Sequence, residues 1–263
     1  MTNVKPGLLG KRFAGKVLDF TTLRGCNDAS DPYGGFSVCD YTGDVASHYC
    51  QCRMELAKEL GIGLAAVVQP RQVHGARVEM LDGDFWSLDE VGRRQVLDGV
   101  DGMVTSRRRV VVGVNTADCV PVLLYSSGGV PLVAAVHAGW RGTLAGIAAN
   151  AVEAMRNAGG EEIAAYIGVS ICCDCFEVGD EVAEAFVGAG FSGKGIVTRN
   201  EATGKAHINL QEANRWQLLQ CGLSPDMIFI DGTCSRHDAS GNYFSARRMG
   251  VNSGRTFTGI MLL

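Results

Sequence analysis

The chain has 263 residues, a formal net charge of −4 and a hydrophobic fraction of 46%. This length can bury a sizeable core without disulfides, and the composition is that of an ordinary globular protein. The small negative charge and the lack of a basic stripe argue against nucleic-acid binding through backbone electrostatics.

Targeting and membrane signals are also missing from the sequence. Residues 2–10 have no apolar core of the kind that a secretory signal needs, and no uninterrupted apolar run reaches about 18 residues. We therefore expect a cytoplasmic protein that does not bind membranes. Its ten cysteines would then be reduced and serve as thiols, packing residues or metal ligands.

The first part of the chain alternates β-branched runs with amphipathic segments. Strands are predicted at 17–22, 65–69, 76–80 and 103–105. Helices are predicted at 47–60 and 88–97, with a long polar loop at 24–44. Cys50 and Cys52 lie in the first helix at a spacing that directs them to different faces, which favours packing over a shared metal.

Two polar residues in this part are candidates for a functional site. His74 precedes a glycine at the start of a predicted strand and is either a metal ligand or a surface histidine. Asp101, in the turn before the strand at 103–105, either orients a neighbouring histidine through its carboxylate or forms an Asx-turn.

The residues best suited to chemistry lie between positions 109 and 142. Three apolar runs predict buried strands at 110–114, 120–125 and 130–136, with a hairpin turn at 126–129. Antiparallel pairing of the last two would bring Cys119 and His137 to within about 5 Å. Such a pair is either a catalytic Cys/His dyad or part of a soft-metal site. The alternative is a structural cysteine and a buried core histidine.

A helix is predicted after these strands, because apolar residues recur at helical spacing from Leu144 to Met155. Arg141 then lies at or just before the helix N-terminus, where its charge and the free N–H groups could bind phosphate. A salt bridge that braces the turn is the alternative role for Arg141.

The remaining chain continues the mixture of strands and helices. Strands are predicted at 164–169, 227–230 and 257–263, and helices at 180–189 and 209–221. A loop at 231–242 carries Cys234 and His237. With no linker or repeat, we expect a single α/β domain that covers residues 1–263.

Cys172, Cys173 and Cys175 follow the strand at 164–169. Three cysteines within four residues suggest zinc, but no second Cys or His pair at a structural-zinc spacing is recognised after them. Packing is therefore the expected role.

The motifs together resemble the YfiH-like family, which has been labelled the multicopper polyphenol oxidase or laccase domain and whose members are described as purine nucleoside phosphorylases. The resemblance runs from residue 20 to the end of the chain. The blocks that carry it are QVHG (72–75), DG (101–102), TADCVPV (116–122), HAGWRGT (137–143), EVG (177–179) and FSARR (244–248). The chain departs from the family at 169–175, where a loop rich in Gly and Pro is replaced by a cysteine-rich one.

The resemblance implies a mixed-sheet α/β sandwich of the YfiH-like type with a zinc centre, copper being the alternative metal. The implied metal ligands are His74, Cys119 and His137, which also count as catalytic residues. Asp118 is a candidate proton shuttle or partner of the ligands. Arg141 and Arg248 are candidates for binding substrate or phosphate.

The implied activity is zinc-dependent phosphorolysis of adenosine, inosine, guanosine and methylthioadenosine, with inorganic phosphate as co-substrate, together with adenosine deamination. The partners would be small-molecule purine nucleosides, and the chain would be a monomer or a weak homo-oligomer. One rival is a Cys119/His137 hydrolase, an amidase of cell-wall precursors. A copper-dependent polyphenol oxidase is disfavoured because five histidines cannot build its copper sites. A zinc-binding protein without activity is the third rival.

Overall fold

The computed structural model describes residues 7–10, 13, 16–26, 28, 30–191 and 195–263. Part of the N-terminal stretch considered above, residues 2–6, lies outside the described residues, as do 27 and 29 of the loop expected at 24–44. None of the described helices is long and apolar enough to cross a bilayer.

Strands and α-helices are mixed along the described chain. The strands are β1 (Gly7–Gly10), β2 (Val17–Leu23), β3 (Val67–Val68), β4 (Val78–Met80), β5 (Gly102–Thr105), β6 (Val111–Thr116), β7 (Val120–Gly129), β8 (Leu132–Ala138), β9 (Gly160–Ile167), β10 (Glu177–Val178), β11 (Val197–Arg199), β12 (Ala206–Ile208), β13 (Ile228–Ile230) and β14 (Thr256–Leu262). The helices are α1 (Ala46–Glu59), α2 (Gly83–Ser87), α3 (Glu90–Leu97), α4 (Trp140–Leu144), α5 (Ile147–Asn157), α6 (Asp180–Phe186), α7 (Leu210–Gln220) and α8 (Ala246–Met249).

The strands form two large sheets and one small one. The first large sheet has the order β1-β2-β14-β6-β3, the second β13-β9-β7-β8-β5-β4, and the small sheet β10-β12-β11. Parallel pairs, such as β3 with β6 and β13 with β9, occur beside antiparallel ones in both large sheets. The expected mixed-sheet α/β fold is confirmed.

Alternating side chains divide the core into layers. Val112 and Val114 of β6 join Leu123 of β7 in a buried cluster between the two large sheets. Val111, on the other face of β6, packs in a cluster with residues of α1. Val122, on the opposite face of β7, packs in a third cluster with residues of α5 and α7. The period-two pattern of these strands therefore places helices on both outer faces of the paired sheets.

Two local expectations differ from the structure next to the site. The turn expected at 126–129 is wrong, because β7 continues to Gly129 and Gly128 pairs with Glu161 of the neighbouring strand β9. The helix after β8 begins at Trp140, which places Arg141 at its N-terminus as expected, but it is interrupted by Gly146, whose φ of 76° no continuous helix allows.

Candidate metal centre

The side chains of His74, Cys119 and His137 meet at one end of the β7–β8 hairpin. One ligand atom from each lies within 4.8 Å of the other two. Val120 pairs with Ala138 in antiparallel register, so the residue before β7 lies beside the end of β8. Cys119 and His137 are thus brought together in the way the hairpin predicts.

His74 enters the site from a tight turn that Asp101 holds in place. The Asp101 carboxylate accepts hydrogen bonds from the backbone N–H groups of Val73 (3.2 Å), His74 (3.0 Å) and Gly75 (2.7 Å). His74 has a φ of 63°, which is uncommon for a residue other than glycine. The three bonds offset the cost of this conformation, and the turn presents an exposed imidazole to the site.

Asp101 also orients His137. Its Oδ1 lies 2.7 Å from Nδ1 of His137, and both side chains are almost inaccessible, at 0% and 2% exposed. In the neutral form of His137, Nδ1–H donates to the carboxylate and Nε2 has the lone pair that binds a metal. The sequence left two roles open for Asp101, and the structure shows the one in which its carboxylate orients a histidine.

The electrostatics of the site favour a thiolate. Burial opposes ionisation of Cys119, but the charge of His137 and hydrogen bonds from both histidines outweigh it and lower the pKa of the thiol to about 6. Burial likewise disfavours the charged form of His137, but the Cys119 thiolate and the Asp101 carboxylate raise its pKa to about 9. At neutral pH Cys119 is therefore mostly the thiolate, the form that binds metals.

Glycines in the HAGWRG segment leave room for these side chains. A Cβ on Gly139 would lie 3.1 Å from both Cys119 Sγ and His74 Cδ2. A Cβ on Gly142 would lie 2.7 Å from the carbonyl oxygen of Gly75, which is closer than real Cβ atoms approach backbone. The small residues after His137 thus let the His74 turn pack against the start of α4.

We expect Gly142→Ala to lower activity by about 10- to 100-fold, because the added methyl group would displace the His74 turn and move its imidazole away from Cys119 and His137. The change should be measured as kcat/KM together with bound metal. Gly63→Ala is a matched control, since nothing lies within 4 Å of a Cβ there. Unchanged activity and metal content in Gly142→Ala would contradict the packing argument.

Asp118 connects the site to the C-terminal part of the chain. Its φ is 85°, its Oδ1 accepts a hydrogen bond from Ser235 Oγ (2.8 Å), and its Oδ2 accepts one from the Arg247 backbone N–H (2.7 Å). Both carboxylate oxygens are therefore engaged. This geometry favours a positioning role, and the role of proton shuttle stays a prediction.

The two arginines expected to bind phosphate differ in how they are held. Arg141 follows Gly139 by two residues and is exposed, and its guanidinium stacks 4.2 Å above the ring of Trp140. Arg248 donates to the carbonyl oxygens of Arg236, Asp238 and Tyr243, at 2.7 to 3.4 Å, and so braces the loop before α8. Phosphate binding stays a prediction for both, and the geometry favours Arg141.

A second cluster of side chains that can bind metal shares no residue with the first. It was not predicted from the sequence. Cys172, Cys175, Cys234 and His237 each place one ligand atom within 4.8 Å of the others. The statement that no second pair follows the cysteine-rich segment was wrong, because Cys234 and His237 form that pair at a C-x2-H spacing. Cys173 is not part of the cluster, and its Sγ lies 3.5 Å from Thr198 Oγ1.

Comparison with known proteins places this geometry in a family. The family described as multi-copper polyphenol oxidoreductase laccase matches residues 19–263. The chain belongs to this family. It is 49% identical over 243 residues to a protein named adenosine deaminase RL5, from an unknown prokaryotic organism, and each sequence is covered to 92%. A purine nucleoside phosphorylase of Bacteroides thetaiotaomicron is 37% identical over 253 residues, covering 94% of this chain and 92% of that protein.

Solved structures in this laccase-like family share the fold. The hypothetical protein YfiH of Bacillus licheniformis superposes with a TM-score of 0.88 at 26% identity, over 98% of this chain and 97% of the other. YlmD of Geobacillus stearothermophilus superposes with a TM-score of 0.83 at 25% identity, over 97% and 99%. The YfiH-like architecture expected from the motifs is therefore confirmed.

Proposed function

We propose that the chain is a zinc-dependent purine nucleoside phosphorylase that acts on adenosine, inosine, guanosine and methylthioadenosine and also deaminates adenosine. The observation that carries the proposal is the convergence of His74, Cys119 and His137, with an exposed arginine four residues after His137 in the chain. The names of the relatives support the substrate class. We also propose that residues 1–263 act as one catalytic domain, as a cytoplasmic monomer or weak homo-oligomer.

The donors suit a soft or borderline metal. One thiolate and two imidazoles favour zinc or copper over magnesium or calcium. Three protein ligands leave one coordination position for water or substrate, which distinguishes catalytic from structural zinc sites. Two further features suit a metal site. Gly139 has no Cβ that would crowd Cys119 and His74, and the Asp101 carboxylate orients His137. When bound, zinc supplies a Lewis acid that activates water and polarises a substrate atom.

The side chains around these ligands have separate roles in the two reactions. In phosphorolysis, phosphate replaces the purine at the anomeric carbon of the ribose, and Arg141 offers an exposed positive charge to hold the phosphate. In deamination, water replaces the amino group at C6 of adenine, and Asp118 is the candidate that carries the proton. Asp101 fixes the tautomer of His137 and the turn of His74 in both reactions.

The same geometry would also suit a thiol hydrolase, which is the alternative to the proposed phosphorylase. Cys119, His137 and Asp101 form a chain of thiolate, imidazole and carboxylate, as in Cys/His nucleophilic enzymes. His74 has no role in that mechanism, although it also hydrogen-bonds the thiolate. The copper oxidase reading is weaker, because within the described residues His48 and His207 lie outside both Cys/His clusters.

The test is product analysis by liquid chromatography. Zinc-loaded protein is incubated with each of the four nucleosides, with and without phosphate. Only when phosphate is present do we expect free base together with the sugar 1-phosphate, which is ribose 1-phosphate from three of the substrates and 5-methylthioribose 1-phosphate from methylthioadenosine. We expect inosine from adenosine when phosphate is absent. If neither free base nor inosine forms under any condition, the proposed function fails, and amide substrates would be the next to assay.

A further inference from the structure

We propose that Cys172, Cys175, Cys234 and His237 form a second, structural metal site that binds one zinc ion with four protein ligands. The site is separate from the His74, Cys119 and His137 centre and does not depend on the activity proposed for it. Its role would be to join the cysteine-rich segment after β9 to the loop after β13.

The ligand spacing is that of a structural zinc site. Cys172 and Cys175 form a C-x2-C pair, and Cys234 and His237 form a C-x2-H pair. Residues Cys173–Cys175 make a single 3-10 turn, in which the N–H of Cys175 donates to the carbonyl oxygen of Cys172 at 3.1 Å. Two such pairs on facing turns can supply the four corners of a tetrahedron.

The distances between the ligand atoms fit a tetrahedral zinc ion. Zinc bonds of usual length place two cysteine sulfurs about 3.8 Å apart, and a sulfur and an imidazole nitrogen about 3.6 Å apart. Both nitrogens of His237 face sulfurs, with Sγ of Cys172 3.9 Å from Nδ1 and Sγ of Cys175 3.2 Å from Nε2, and one of the two nitrogens would bind the zinc ion. All four ligand atoms lie within 4.8 Å of one another. The three thiols are free rather than joined in disulfides.

Backbone N–H groups surround the sulfurs as they do in metal-binding turns. The N–H of Cys172 donates to Sγ of Cys234 at 3.3 Å, and the N–H groups of Arg236 and His237 bond to the same sulfur. The N–H of Cys175 bonds to Sγ of Cys172. Such bonds fix the ligand orientation and stabilise the negative charge of metal-bound sulfur.

Cysteines that only fill space in a core would not require a cluster of three sulfurs and an imidazole. A buried structural cysteine behaves as a small apolar side chain, yet only Cys175 of the four residues is buried, and His237 is exposed. An exposed imidazole held against three sulfurs gains little from apolar burial. A bound metal ion accounts for all four positions together.

The location gives the metal a structural purpose. Ser170 and Cys234 form an isolated parallel bridge, and the N–H of Ser235 donates to the carbonyl oxygen of Ser170 at 3.0 Å. Ser235 also donates to the Asp118 carboxylate, next to Cys119. A metal that joins these two segments would therefore fix one wall of the first centre. Four protein ligands would leave no position for substrate, so this zinc would be structural.

The experiment counts zinc by mass spectrometry of metals after dialysis of the full-length protein, with Cys119→Ala used to empty the first centre. We expect about two zinc ions per chain in the wild type, about one in Cys119→Ala, and close to none in Cys119→Ala/His237→Ala. Cys119→Ala/His237→Cys is the rescue variant, since four cysteines also bind zinc, and it should retain about one ion. Cys119→Ala/Cys50→Ala is the matched control, because Cys50 is exposed and outside both clusters.

A second measurement covers the case in which His237→Ala does not fold. In Cys119→Ala, cysteine alkylation followed by peptide mapping should show Cys172, Cys175 and Cys234 protected until a strong chelator is added, whereas Cys50 reacts throughout. The proposal is overturned if Cys119→Ala carries no zinc, if the three cysteines react equally with and without chelator, or if they are joined in a disulfide. Iron with acid-labile sulfide in place of zinc would also overturn it.

Discussion

Replacing Cys119 by alanine is expected to lower both phosphorolysis and deamination by about 10³-fold or more, because loss of a Lewis acid costs several kcal/mol of transition-state stabilisation. The change removes the only thiolate of the first centre and leaves two imidazoles, a weaker donor set. The side chain is only partly buried, so the fold should persist. The measurement is kcat/KM for adenosine and inosine, with zinc counted in the same samples.

The zinc count separates the metal role of Cys119 from a role as nucleophile. If Cys119 binds zinc, the variant should lose about one ion per chain together with its activity. If it acts as a nucleophile, the variant should lose activity but keep its metal, and a chelator should leave the wild type active. Cys221→Ala is a control outside both clusters and should keep both properties. Retention of either activity by Cys119→Ala would contradict the assignment.

The approach of Cys119 to His137 was predictable because its determinants are local in sequence. The β-branched runs that became β7 and β8 are adjacent, and one antiparallel pairing suffices to place Cys119 beside His137. His74 and Asp101 precede two neighbouring parallel strands, β4 and β5, and their approach follows less directly. The family resemblance, and not the strand pattern, gave His74 as a third ligand candidate, and nothing in the sequence predicted the four hydrogen bonds of the buried Asp101 carboxylate.

The second cluster was missed for a physical reason. Its two pairs stand far apart in the chain, and parallel pairing of β13 with β9, as in Ile230 with Ile167, brings them to the same edge of the sheet. Side-chain periodicity reports which face of a strand is buried, but it does not report which distant strand lies next to it. The C-x2-C and C-x2-H spacings were the available signal, and reading the pairs together would have found the site.

The backbone conformation of the first centre could not be predicted from the sequence either. His74 and Asp118 both adopt positive φ without being glycine. Each is held by bonds that form only in the folded chain: the His74 turn by Asp101, and Asp118 by Ser235 and the Arg247 N–H. Strain supported by surrounding structure is typical of functional sites. In this protein it occurs at one ligand candidate, His74, and at the residue before another, Cys119.

Asp101→Asn should show how far the first centre depends on a residue that does not itself face the metal. We expect a loss of about 10- to 100-fold in metal affinity, with activity falling at least in parallel. The carboxylate accepts from three backbone N–H groups and from Nδ1 of His137, and burial has not prevented its ionisation, since these bonds keep its pKa below the ordinary value. An amide nitrogen cannot accept a hydrogen bond, so an asparagine that turns its oxygen to the His74 turn presents N–H to His137.

The consequence for His137 is a change of tautomer. With an N–H donor opposite it, Nδ1 becomes the acceptor and Nε2 carries the proton, so the lone pair needed for the metal is lost. The measurements are the dissociation constant for zinc by competition with a chromophoric chelator and kcat/KM on the same samples. Asp98→Asn is the matched control, because Asp98 is exposed at 59% and pairs only loosely with Arg71 at 3.4 Å. Wild-type zinc affinity in Asp101→Asn would mean that His137 keeps its tautomer without the carboxylate, and Asp101 would then be a support for the His74 turn alone.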